Sequence, residues 1–320
     1  MITLGLCTAR KNPQFQWMAD SLVHAIEYAK VPCELIVVDK LLWEAAPQRL
    51  IRREELAEAL KGRISYRHVP PKPSPWQGPW RKTKRDFYDL NNARNSVIAL
   101  ARGTYVVLFD DCSVIHARWL AVHAAAARTG VAVAGSFRTY NEATVVNGRI
   151  VDGTLHPSGV DHRGEISVEC GGGWLYGLNC SFPLEAAIKV NGYDEKFSSQ
   201  GGSEDTHFGI RIVMAGYKVV YFPQCLIYQV LATHEPVCEI ETWGKPQVVK
   251  QKELMLKDGK MHFKNEYLIQ EWAEHPYIQS KGNDFDIREL RKNALMYGEF
   301  PTKRTVEVDW ADNQPLSDME

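Results

Sequence analysis

The chain has 320 residues, 45% of them hydrophobic and 24% charged, a composition that supports one sizeable core or two modest ones and excludes a largely disordered chain. Lys and Arg number 38 against 39 Asp and Glu, and the resulting net charge of -1 excludes a general attraction to nucleic acid or anionic membrane, leaving only local patches for such partners. No stretch approaches the roughly 18 apolar residues of a membrane span, and the opening "ITLGLCTA" reads as a strand rather than a signal segment, so a cytoplasmic protein without a membrane span is expected.

The first 140 or so residues alternate short apolar runs with helix-like segments: "ITLGLCTA", a mixed stretch to Lys30, "CELIVVD", "RREELAEALKG", "ISYRHV", "DLNNARNSVIALARG", "TYVVLFDD", "ARWLAVHAAAARTG" and "VAVAGSF". That order predicts an α/β fold with a mainly parallel sheet and helices on its faces, in which ligands sit beyond the carboxyl ends of the strands. Thr8 to Arg10, Asp39, and Asp110 with Asp111 each follow a strand directly and so belong to one rim. The segment "VPPKPSPWQGPWRKTKRD" (69–86) carries five prolines and reads as a loop. Its Trp76, Trp80, Arg81, Lys82, Lys84 and Arg85 suit donor phosphates, an anionic acceptor or nucleic acid as well as they suit plain solvation.

Further along, "VVNGRIVDG" predicts a hairpin turning at Asn147-Gly148. A strand "GWLYGLNCSF", a helix opening near Pro183, the turn "VNGYDEKFSSQGGS", a helix "EDTHFGIRIVMAGY" and strands "KVVYFP" and "LIYQVLATHE" follow. The last 80 or so residues read as helical around 246–258 and 283–297, ending in an acidic tail. Seven cysteines, odd in number and never spaced as CxxC, argue against a disulfide framework and a zinc site. His116 and His123, seven residues apart, share a predicted helix face among alanines, and His207 reads as structural.

Two acidic pairs carry the chemistry. Asp110 and Asp111 close a buried strand with adjacent like charges, which a divalent cation held together with diphosphate oxygens would offset; Asp111 or Ser113 can equally cap the next helix. Glu204 and Asp205 open a helix whose dipole favours their ionised form, where a carboxylate can take a proton from an incoming hydroxyl; acids in a first helical turn are also ordinary caps.

The combined order of the strand ending at Asp39, "ARN" (Ala93, Arg94, Asn95), the acidic strand end, "NGYDEKF" (191–197), "ED" before a helix, and "GYKVVYFP" resembles the inverting family-two glycosyltransferases of the GT-A fold. The resemblance covers about residues 1–236 and implies a GT-A three-layer α/β/α sandwich, with a nucleotide-sugar half (about 1–113), an acceptor half (about 114–236) and a mostly helical extension over 237–320 with an acceptor or assembly role. It implies that Thr8, Ala9, Arg10, Asp39, Arg94 and Asp110 line the nucleotide pocket. By the same resemblance Asp111 and His234 hold Mn2+ or Mg2+, and Asp205 is the general base with Glu204 supporting it. Trp174, Tyr176 and Asn179, in a Gly-rich strand, are candidate acceptor contacts, although strand aromatics are more often core. The activity implied is metal-dependent transfer of a hexosyl or pentosyl unit from a nucleoside-diphosphate sugar, a UDP-sugar first, with inversion at the anomeric carbon. A glycan, a protein or a hydroxymethylated DNA base fits as acceptor, and a catalytically silent nucleotide- or sugar-binding module is the alternative. The chain departs from the family at Cys112, where a third acid or polar group is usual, and at "TARKNP", which lacks the usual nucleotide motif.

Overall fold

Val106 and Leu108 of strand β4 (Tyr105–Phe109) face one side of a sheet, and Val107 and Phe109 face the other, the alternation that a strand's period of two imposes. Because all four are apolar, both faces of the sheet must be covered. In the computed structural model, which describes residues 1–10, 13–44, 47–74, 89–111, 113–197, 202–231, 239–242, 245–248, 254–257, 260–297 and 300, both are.

Helices α1 (Phe15–Ala29), α2 (Pro47–Leu60) and α4 (Trp119–Thr129) cover one face through Met18, Leu22, Leu56, Trp119 and Leu120. Helices α3 (Leu90–Leu100), α5 (Leu184–Lys189), α6 (Glu204–Met214) and α8 (Ile287–Tyr297) cover the other through Ala93, Val97, Ala186, Phe208, Ile212 and Ala294. The result is the expected α/β/α sandwich.

In the sheet, β3 (Ser65–Val69), β2 (Cys33–Asp39), β1 (Ile2–Thr8) and β4 pair in that order and all in parallel. The antiparallel β9 (Asn179–Pro183) comes next, then β6 (Ala132–Val146) and β10 (Val219–Val230), parallel to each other, and last the antiparallel β5 (Ser113–Ile115). Strands β1 to β4, β6 and β10 therefore run one way, which is the mainly parallel sheet that was expected. Two further strands pair antiparallel at the margins, β7 (Arg149–Val160) with β6 and β8 (Val168–Cys170) with β10. The β6–β7 turn falls at Asn147 and Gly148, with φ of 49° and 69°, the left-handed pair that a tight hairpin needs.

Helix α3 carries polar residues that the core keeps. Its N-cap Asp89 accepts from the Asn92 amide at 3.1 Å, Asn91 Nδ2 donates to the Asp194 and Phe197 carbonyls at 2.9 and 3.0 Å, and Asn95 Nδ2 donates to the Tyr193 carbonyl at 2.9 Å. The helix thereby fixes the "NGYDEKF" turn that leads toward α6. At its other end Arg291 of α8 donates to the Ile98, Ala99 and Ala101 carbonyls, a cation at the negative end of the helix dipole. Ile287, Ala294 and Phe300 accordingly share one core with α3, so helix α8 and Phe300 pack against the first 236 residues.

Several expectations need correction. Within the span 246–258 expected to be helical the described residues are strands: β12 (Lys245–Val248) pairs antiparallel with β11 (Glu239–Thr242), and β13 (Leu254–Lys257) with β14 (Lys260–Phe263); helices α7 (Lys264–Glu274) and α8 follow. "GWLYGLNCSF" forms a 3-10 turn over Gly172–Trp174 and becomes a strand only at Asn179. "KVVYFP" and "LIYQV" are one strand, irregular between Phe222 and Leu226. His116 precedes α4 rather than sharing a face with His123, which lies wholly buried against Ser181 Oγ at 2.7 Å and Cys225 Sγ at 2.9 Å. Burial drives the His123 pKa down to about 3, so this ring is a neutral core group. No helix among the described residues is long and apolar enough to cross a membrane.

Candidate functional site

At the carboxyl ends of β1 and β4, Thr8 Oγ1 donates to Asp111 Oδ2 at 2.5 Å and Arg10 Nε donates to Asp111 Oδ1 at 2.8 Å. Arg10 and Asp111 are both nearly buried, so this is a charge-assisted pair shielded from water. Burial first, then the neighbouring Asp110, still push the Asp111 carboxyl up to about 7 against the pull of Arg10. Asp110 turns the other way. It is half-buried, its Oδ1 accepts the Asp111 amide at 2.7 Å, and its Oδ2 accepts from Gln229 of β10 at 3.0 Å.

The second acidic pair repeats the pattern. Glu204 is buried, with Oε1 at 3.3 Å from Arg94 Nη1 of α3 and no partner for Oε2 among the described residues. Burial first, then Asp205, raise its pKa against the pull of Arg94. Asp205 is half-buried and held by main-chain donors, Gly177 N at 2.9 Å and Thr206 N at 2.7 Å. The residue before the pair, Ser203, sits at φ 68°, a left-handed conformation that strains any residue but glycine.

One cavity of about 230 Å³ joins the two pairs: Asp110, Arg94, Tyr176, Gly177 and Asp205 line it, with Cys7 as part of its wall. The Cys7 thiol, pushed up to about 12 by burial, stays neutral there. Gly177 is a glycine for a spatial reason, because the Arg94 guanidinium lies 1.9 Å from where its Cβ would stand.

The remaining sequence-predicted residues divide. Thr8 and Arg10 build the rim through Asp111, while Ala9 is core. Asp39 is wholly buried and bonded to His68 Nε2 at 2.9 Å and the Leu41 amide at 3.0 Å, so it faces its own chain instead of an open nucleotide site. Asn179 also needs correction as an acceptor contact. It is wholly buried, donates to the Ser136 and Cys225 carbonyls at 2.7 Å each and accepts from Trp119 Nε1 at 2.8 Å, which makes it a link between sheet and helix. Trp174 packs edge-on against Tyr221, ring centroids 5.8 Å apart, whereas Tyr176 reaches the cavity. His234, Cys112 and the basic tryptophan loop from Trp76 to Arg85 lie outside the described residues.

Among the described residues no cluster of three metal-ligating side chains exists. Asp110 nevertheless lines the cavity, and its carboxylate is a hard donor group of the kind that suits Mg2+ or Mn2+, ions that usually take one or two carboxylates and complete their shell with phosphate oxygens and water. The residues missed from the sequence are Gln229, which braces Asp110, and Arg163, which braces the loop carrying Tyr176 and Gly177.

Residues 170–235 match the family described as the N-terminal domain of galactosyltransferase, a span that includes β9, α5, α6 and the whole of β10. The match agrees with the glycosyltransferase resemblance of the sequence and does not test inversion. Among solved structures the chain is similar to the mannosyltransferase PcManGT from Pyrobaculum calidifontis in complex with GDP-Man and Mn2+ (16% identity, 73% of this chain and 57% of that one, TM-score 0.45). It is also similar to S. aureus TarS 1-349 in complex with UDP (13%, 72% and 60%, TM-score 0.48). A further similar structure is GalNAc-T7 with UDP, GalNAc and Mn2+ (13%, 72% and 44%, TM-score 0.49). The chain spans less than two thirds of each of these proteins. No curated protein matches it.

Proposed function

We propose that this protein is a glycosyltransferase that moves a hexosyl or pentosyl unit from a nucleoside-diphosphate sugar, a UDP-sugar first, to an acceptor hydroxyl with inversion. The observation that carries the reading is that one acid of each pair, Asp110 and Asp205, opens into the same cavity beside Arg94. The galactosyltransferase match over residues 170–235, which contains Asp205, supports it.

Asp205 accepts the acceptor hydroxyl's proton as the oxygen attacks the anomeric carbon, and the carbon–oxygen bond to the diphosphate breaks with its electron pair leaving on the diphosphate. The amides of Gly177 and Thr206 hold the Asp205 carboxylate in place for that transfer. Arg94 sets a fixed positive charge at the cavity wall, where the donor's phosphates are placed. Asp110 would hold the Mg2+ or Mn2+, and the ion would supply charge stabilisation for the departing diphosphate. With Asp205 as the base and Asp110 given to the ion, a single displacement is the simplest route, which gives inversion.

Asp111, expected from the sequence as the metal ligand, has both oxygens bonded to Thr8 and Arg10, so the ion is assigned to Asp110 instead, with those three residues as its frame; Tyr176 is the acceptor-side aromatic. The acceptor classes are a glycan, a protein or a hydroxymethylated DNA base. Residues 1–236 form the catalytic unit, acting in the cytoplasm, with the extension shaping acceptor choice. The test is release of nucleoside diphosphate from a panel of nucleotide sugars with and without Mn2+. Slow release that requires the ion supports the transferase; binding of a donor with no release would make the protein a silent binding module.

A further inference from the structure

Arg163 lies outside both acidic pairs, in the turn after β7, yet its side chain is wholly buried. A buried guanidinium must spend its donors on specific partners, because desolvating an unpaired charge is costly. Nε donates to Asp161 Oδ1 at 2.9 Å and Nη2 to Asp161 Oδ2 at 2.6 Å, which neutralises the charge in a two-pronged pair. Burial alone would raise the Asp161 pKa, but the hydrogen bonds from Arg163 hold it below the ordinary carboxylate value. Two further N–H groups go to main-chain oxygens, Nη2 to the Gly135 carbonyl of β6 at 2.6 Å and Nη1 to the Trp174 carbonyl at 2.7 Å. The guanidinium plane also lies against Tyr176 and Tyr221, at 4.6 and 4.7 Å from the ring centroids.

These contacts converge on a short stretch. Trp174, gripped at its carbonyl, and Tyr176, gripped at its ring, lie three residues and one residue before Gly177, whose amide donates to Asp205 at 2.9 Å. Between β8 and β9 this stretch has a 3-10 turn and no strand pairing, so Arg163 ties it to β6. We propose that Arg163 is a positioning residue that acts through Trp174 and Tyr176 to hold the Gly177 amide on Asp205 and the Tyr176 ring at the cavity wall. The inference deepens the glycosyl-transfer reading and rests on it for the role of Asp205. Lysine cannot replace Arg163, because a single ammonium cannot reach the Asp161, Gly135 and Trp174 oxygens together or lie flat on two rings.

The experiment compares R163K with wild type, and with K218Q as a control that breaks only the exposed Lys218–Glu169 pair at 2.8 Å. Hydrogen exchange at the Gly177 amide and steady-state release of nucleoside diphosphate are read on each protein. In R163K, Gly177 exchange should rise by about tenfold or more while the β1, β2 and β4 amides stay as protected as in wild type. The kcat for release should fall about 10- to 100-fold with the donor KM unchanged, the signature of a misplaced base rather than a lost binding contact. K218Q should match wild type in both readouts. Unchanged Gly177 exchange overturns the inference, as does faster exchange with unchanged kcat, or loss of protection in all amides together. Absence of release from wild type with every donor removes the glycosyl-transfer reading instead, and the Gly177 exchange then decides the positioning role of Arg163 on its own.

Discussion

The two acidic pairs are built alike and braced differently. In each, one acid is buried against an arginine, Asp111 on Arg10 and Glu204 on Arg94, while its neighbour opens into the cavity. At the end of β4 the buried acid is bonded through both oxygens, at 2.5 and 2.8 Å; at the start of α6 the contact is long, at 3.3 Å, and Oε2 has no partner among the described residues. The cavity-facing acids differ too: Asp110 is braced by one main-chain amide, that of Asp111, and by the Gln229 side chain, whereas Asp205 is braced by two main-chain amides. Among the described residues neither open acid is paired with an arginine in the way its buried neighbour is, and neutral amides hold each at the cavity wall. The buried acids then serve as frame, and the open ones as chemistry.

The largest effect that would break this division is at Asp205. Asp205→Asn should reduce transfer by roughly 10²–10⁴-fold while donor binding persists, as loss of a positioned base requires; an active variant in a nucleoside diphosphate release assay would remove the base assignment. Next come the two aspartates after β4, which should separate cleanly. Asp111→Ala removes the buried ion pair with Arg10 and should lower unfolding free energy by about 3–5 kcal/mol in urea titrations, whereas Asp110→Asn should cost clearly less. Equal losses for the two would contradict the comparison.

The smallest effect sharpens it. The weaker Glu204–Arg94 contact predicts that Glu204→Gln costs about 1 kcal/mol or less. The pH dependence has a definite sign. A carboxyl whose folded pKa is raised, as burial raises that of Glu204, favours the native state below the unfolded value, and that contribution is lost as pH rises through the folded value. Wild-type stability should therefore fall over that interval more steeply than that of Glu204→Gln, a difference that melting curves across pH 4 to 8 would show or deny.

Much of this was legible from residue order. Strands β1, β2 and β4 read as apolar runs ending in polar residues, α3 read as a helix behind Asp89, and the Asn147-Gly148 turn came from its two residue types. Both acidic pairs were also found, because each sits at a junction of strand or helix. Which member of a pair faces the cavity was not legible, since that depends on how the chain turns after β4 and on Arg10, about a hundred residues away. Asp39 and Asn179 were misread for the same reason: their partners His68, Trp119 and Cys225 are brought to them by strand pairing and helix packing. Arg163 stands in a polar, Gly-rich stretch that gives no periodic signal, and its role exists only through the carbonyls it reaches. Strands β12 and β13 fall where the sequence reads as helix, around 246–258, because charged residues separate short apolar runs such as "LML", a pattern open to either period.

The central claim is the split between Asp110 and Asp205, and titration calorimetry of a UDP-sugar into wild type, Asp110→Asn and Asp205→Asn, each with and without Mn2+, tests it most directly. The account predicts that Asp205→Asn binds the donor with Mn2+ as wild type does, and that Asp110→Asn loses the Mn2+-dependent part of the binding. Wild-type Mn2+-dependent binding in Asp110→Asn, or loss of donor binding in Asp205→Asn, would contradict it.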